Sequence, residues 1–103
     1  MRIKYFACCL AMLAAVSLLA VSSFAYTGQE LAGKAKITID EARSIALKAC
    51  PGTITDEELE KEKGGSGLRY SFDIKSGRTV CEVGVDAQTG KVLENKKEGP
   101  HPD

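Results

Sequence analysis

Two short runs of strict alternation constrain this chain more than any other feature. Leu68, Tyr70, Phe72 and Ile74 face one way along an extended backbone while Arg69, Ser71 and Asp73 face the other, the pattern of an antiparallel strand with one buried face. After a turn at Ser76-Gly77, Cys81, Val83 and Val85 alternate with Val80, Glu82, Gly84 and Asp86, so the apolar face continues onto the next strand. A sheet with one apolar face needs a second layer to cover it.

The cover is a helix lying upstream. Thr38 is a suitable N-cap and Glu41, three residues on, completes a capping box, while Ile37 can staple onto Ala42. Ala42, Ile45, Ala46 and Ala49 form one stripe at helical spacing, with Asp40, Arg43, Ser44 and Lys48 off it, and Pro51-Gly52 ends the helix. One striped helix and one half-apolar meander give an α+β fold, with an N-terminal helix packed across a three- to four-stranded antiparallel sheet.

The segment from Ile54 to Lys63 supports two readings. Thr55 with Glu58 resembles a second capping box, and the following residues are good helix formers. As a helix, however, it would bury only Leu59, too little to offset nucleation. A charged edge strand, its glutamates and lysines opposing edge-to-edge association, is favoured. Beyond the alternating pair, Asp86 to Gly90 makes a tight connection in which Asp86 can bond its own following backbone. Lys91 to Asn95 adds a last short strand, and a tail with two prolines and a glycine follows.

The N-terminus carries its own pattern. Arg2 and Lys4 precede an uncharged apolar run from Phe6 to Val21, and Ser23-Phe24-Ala25 offers small residues where a signal peptidase reads. The expectation is a signal peptide over residues 1–25, cleaved between Ala25 and Tyr26. About 16 apolar residues fall short of the roughly 20 that span a bilayer, so a stable membrane anchor is not expected. Residues 26–36, with Gly28 and Gly33 and no clear period, read as a flexible leader. The domain is then 37–98, with 99–103 a disordered tail.

Removing the signal takes away Arg2 and Lys4 from 14 basic side chains, leaving 12 against 14 acidic ones and a formal charge of −2. No basic patch points to nucleic acid. Cys8 and Cys9 leave with the signal, so Cys50 and Cys81 remain in an oxidising compartment that favours a bridge between them. A loop of about 30 residues closed in this way is worth about 3 to 4 kcal/mol. That is substantial for a domain of this size.

Catalytic chemistry finds no foothold. The one histidine, His101, lies in the tail, which leaves any Ser-His-Asp or Cys-His arrangement without a fixed acid-base group. Two cysteines 31 positions apart without a second pair lack zinc-site spacing. The acidic run from Asp56 to Glu62 is interrupted by lysine and reads as a solvated face rather than a calcium loop. Gly64, Gly65 and Gly67 do not precede a helix and so form no phosphate cradle. No cofactor, metal or catalytic residue is expected.

The order of these residues is informative in itself. Ile39-Asp40-Glu41-Ala42-Arg43-Ser44-Ile45-Ala46-Leu47, a Pro-Gly break, a charged strand, Tyr70-Ser71-Phe72-Asp73-Ile74, and then Glu82 through Leu93 with its Val85-Asp86-Ala87-Gln88-Thr89-Gly90-Lys91-Val92 ending closely resemble the PepSY domain. The resemblance covers about residues 36 to 98. It implies a non-enzymatic module of the kind found in propeptides of thermolysin-like metallopeptidases and in stand-alone exported proteins, where it is supposed to restrain peptidases. Cys81, where an aromatic or other large residue is common, and Cys50 depart from the family pattern.

Two functions follow as expectations: an exported, periplasmic or secreted protein that binds and modulates a peptidase, such as a secreted metallopeptidase, or an envelope interaction module with another protein partner. The strand carrying Ile54, Glu57, Leu59 and Lys61 is the expected contact, because a core this small leaves little room for a cleft and an extended edge can add a strand to a partner.

Overall fold

The computed structural model describes residues 25–98. The expected signal peptide, but for Ala25, and the expected disordered tail at 99–103 lie outside the described residues. A 3-10 helix (Gln29–Lys34) is followed by α1 (Ile39–Ala49), β1 (Thr53–Lys61), β2 (Leu68–Ser76), β3 (Thr79–Asp86) and β4 (Val92–Glu98). The strands form one antiparallel sheet in the order β1-β2-β3-β4, and the ambiguous segment is the edge strand β1.

The start of α1 is fixed by the capping box. Glu41 N donates to Thr38 Oγ1 at 3.1 Å and Thr38 N to Glu41 Oε1 at 2.8 Å, so two backbone donors that the helix cannot satisfy find partners. The stripe then buries Ala42 and Ala46 completely, with Ile45 and Ala49 packed at the margin of the core. Small residues let the helix lie close over Tyr70, Phe72, Ile74, Cys81, Val83 and Val85, the large side chains of the covered sheet face. At the helix end, Cys50 is bonded to Cys81 in the middle of that face, with 6.5 Å between their Cα atoms.

Tyr70 belongs to the core through its ring and to the helix entry through its hydroxyl, which donates to Ile37 O at 2.9 Å. Burial pushes its phenol up to about 12. Two local irregularities adjust the pattern. A bulge between Ile54 and Asp56 adds Thr55 to β1, so Ile54 shares the covered face with Glu57 and Leu59 although a regular strand would place it opposite them. On the far edge, β4 runs to Glu98, beyond Asn95 where the sequence reading ended the strand, because its backbone continues to pair with Val80 and Cys81 after the apolar alternation has stopped.

Residues 26–36, read from the sequence as a flexible leader, are built into the fold. Tyr26, Leu31, Ala32 and Ala35 pack against the core, and the N–H groups of Lys36 and Ile37 both donate to Ala87 O, at 3.0 and 3.1 Å. The segment showed no period because its regular part is a six-residue 3-10 helix, too short for periodicity to register. Gly28 supplies its left-handed N-cap at φ 86°.

Candidate functional site

The outer edge of β1, the expected contact, is only partly open. Leu59 is 2% exposed. Its N–H, pointing away from β2, donates to Thr27 O at 2.8 Å, and Thr27 bridges Glu58 in parallel. Gly28 lies so close to Leu59 that a side chain there would overlap the Leu59 carbonyl. Tyr26 reaches over the edge to place its ring 6.5 Å from that of Tyr70. Residues 26–28 thus act as a strap over the centre of the strand expected to form the contact.

What remains is a groove of about 590 Å³ beside the first half of the strand, lined by Ala25, Tyr26, Thr27, Arg43, Ile54, Thr55, Asp56 and Glu57. Strand alternation points the Glu57 backbone outward like that of Leu59. Of the four residues expected to form the contact, Ile54 and Glu57 line this groove, Leu59 is buried beneath the strap, and Lys61 is exposed at the far end of β1. Their shared strand brings them to one side, but the strap divides them.

Arg43, on α1, closes the groove from the helix side. Its Nε and Nη2 donate to Glu57 at 2.5 and 2.9 Å, and its Nη1 donates to Asp40 at 2.6 Å. Hydrogen bonding to Glu57 holds the guanidinium above its ordinary value. Nothing in the sequence linked Arg43 with Glu57, because a helix residue off the apolar stripe has no marked partner until the sheet is in place.

The uncovered face of the sheet is acidic. Asp56 stands opposite Asp73, and Asp73 opposite Glu82, a row of three carboxylates across β1, β2 and β3. Burial, and then the neighbouring carboxylates, raise Glu58 and Asp73 from the usual range, and a hydrogen bond with Glu98 raises Glu82. Like charges directly opposite each other in a sheet are destabilising. Among the described residues no group of three or more histidine, cysteine or acidic side chains is arranged to hold a metal ion.

Asp86 is the opposite case. It is 2% exposed and its carboxylate accepts from Ser66 N, Ser66 Oγ, Gln88 N and Thr89 N at 2.7, 2.8, 2.8 and 3.2 Å. Burial alone would raise its pKa, but these donors overcome that and hold it below the usual carboxylate range. The next residue, Ala87, accepts from Lys36 and Ile37 and donates to Leu68 O. The Asp86–Gly90 turn therefore joins the glycine-rich β1–β2 loop, the start of β2 and the entry to α1. Its work is structural.

Comparison with known proteins agrees with this arrangement. Residues 36–96 match the PepSY family, described as "Peptidase propeptide and YPEB domain". The chain is similar to the uncharacterized protein YkoJ of Bacillus subtilis (strain 168), at 31% identity over 68 residues, which is 66% of this chain. The matched part spans 39% of that relative's length. No solved structure matches. With the family match running from the approach to α1 into β4, the chain belongs to the PepSY family.

Proposed function

We propose that this chain is an exported, non-enzymatic module that binds a peptidase in the cell envelope or outside the cell and inhibits or modulates it. PepSY domains are generally non-catalytic and regulatory, generally interact with peptidases, and are typically extracellular or periplasmic. Among the described residues no helix is long and apolar enough to cross a membrane.

The observation that carries the proposal is the groove beside Ile54–Glu57, where the accessible features are a strand edge and charged side chains rather than an enclosed pocket of converging acid and base groups. An open edge of this kind gains affinity from main-chain hydrogen bonds and selectivity from alternate side chains. The test is to titrate the purified protein into secreted metallopeptidases from the same source and to follow both peptide hydrolysis and complex formation. Binding, with a change in hydrolysis rate, is expected for at least one peptidase. Absence of both across the panel would reject the proposal in favour of an interaction module with another kind of protein partner.

A further inference from the structure

We infer that a second copy of this chain pairs with the outer edge of β4, antiparallel about a two-fold axis at Asn95, to give a dimer with one continuous sheet. This contact lies on the opposite side of the sheet from β1, and it stands or falls apart from the peptidase reading.

The two edges of the sheet differ in what covers them. Thr27 O takes the Leu59 N–H of β1, and the strap lies across that strand. β4 is last in the strand order, and among the described residues the backbone of Val92–Glu98 pairs only with β3. An open edge is a template for another strand, and charge is the usual defence against it. β4 carries Glu94, Lys96, Lys97 and Glu98, but their order suits one partner.

Two identical strands paired antiparallel about a two-fold axis set one residue opposite its own copy, and the residues on either side of it opposite each other in exchange. With the axis at Asn95, Glu94 of each copy meets Lys96 of the other, so the attraction is made twice. Asn95 is the one uncharged residue in the regular stretch Glu94–Glu98. Any other axis within it sets a charge against itself, and like charges directly opposite are destabilising. Glu94 stands opposite Gly84 and Lys96 opposite Glu82, both on the uncovered face, while Asn95 between them turns to the covered side and donates from Nδ2 to Ala49 O at 3.3 Å. Lys96 is exposed and has no ion-pair partner among the described residues. Arg69 Nη1 holds Glu94 Oε1 at 3.3 Å, which leaves Oε2 for a lysine. Leu93, unpaired at the register shift, ends the regular ladder beyond Glu94, so the contact is short and the dimer weak. Because the strap closes the centre of β1, a third copy finds no equivalent edge and the pairing stops at two.

The test is a dilution series of the isotope-labelled protein from millimolar to micromolar concentration, followed by amide resonances and by sedimentation equilibrium, with a mixed sample of labelled and unlabelled chains. Concentration-dependent shifts centred on Glu94–Lys96 are expected, with contacts between chains from Asn95 to its copy and from Glu94 to Lys96. Lys96→Glu should weaken association by roughly tenfold, as two exposed attractions become repulsions. Adding Glu94→Lys to it reverses both pairs and should restore association. The double variant also removes the Arg69–Glu94 pair; if it does not fold, the wild-type series and Lys96→Glu decide. A chain that stays monomeric at millimolar concentration, shifts confined to Ile54–Lys61, or Lys96→Glu associating as strongly as the wild type would overturn the inference. Peptidase binding by a chain that never dimerises rejects the dimer and leaves the peptidase reading. A dimer that binds no peptidase does the reverse.

Discussion

Replacing Asp86 by asparagine changes one atom of a buried side chain and tests how the fold is held together. The Oδ1 side of the carboxylate accepts from Ser66 Oγ, Gln88 N and Thr89 N, and Oδ2 accepts from Ser66 N. An asparagine that keeps its oxygen toward Gln88 and Thr89 preserves the turn but points its NH₂ group at Ser66 N–H, donor against donor. The loss is then one hydrogen bond to a charged acceptor, together with the charge assistance on the other three, or about 2 to 3 kcal/mol. Asp86→Ala leaves all four donors without their acceptor and should cost about 4 kcal/mol, some being rescued by water near the surface. For a domain of this size, with total stability of about 4 to 11 kcal/mol, either change is a large fraction of the whole.

The assay is urea unfolding at neutral pH, followed by circular dichroism. Because Asp86 is held below its unfolded value, its contribution is present above the unfolded pKa of 3.8 and is lost as pH falls through the lower folded value. Asp86→Asn should therefore remove part of the acid-induced loss of stability seen in the wild type. A cost below about 0.5 kcal/mol for the asparagine variant, within the range of ordinary surface substitutions, would refute the account of Asp86 as the tie between the glycine loop and the last turn.

Other outcomes are expected from the same contacts. Glu58, Asp73 and Glu82 have raised values in the folded state, so protonating them favours folding; stability should rise as pH falls from neutral through their folded values, and added salt should raise it at neutral pH, both read by thermal unfolding. Flat stability over that interval would contradict the carboxylate row. Reducing the Cys50–Cys81 bridge should cost about 3 to 4 kcal/mol, measured as the shift of the urea midpoint between oxidised and reduced protein. Gly28→Ala should cost about 1 to 2 kcal/mol by straining a left-handed position and displacing the strap from Leu59, detected as faster exchange of Leu59 N–H with the rest of the sheet still protected. Because the Tyr70 phenol is raised to about 12, folding stability should fall as pH rises from the unfolded value near 10 toward 12, and Tyr70→Phe should remove that loss while giving up the bond to Ile37 O.

Alternation and capping are local, and what depended on them could be read directly. Leu68 to Ile74 and Cys81 to Val85 declare a two-residue period, Thr38 and Glu41 mark a helix start, and an apolar stripe facing an apolar sheet leaves one sensible packing. The same reasoning placed Cys50 at the helix end and Cys81 on the covered face, and the structure bonds them. For β1 the physical argument about Leu59 separated strand from helix: one buried leucine is poor support for an isolated helix but enough for an edge strand whose backbone pairs with a neighbour. The bulge at Thr55 was not legible, since an inserted residue becomes visible only when the partner strand fixes the register.

The candidate site divides along the same line. That β1 is charged and lies at an edge followed from its composition, so the sequence alone determined the architecture and the place of this strand in it. Which part of that strand is open was decided only by tertiary structure. The strap, the placement of Arg43 over Glu57 and the role of Ala87 as acceptor for the entry to α1 all join residues distant along the chain. Such contacts leave no period in the sequence, because each depends on where two independently formed elements meet.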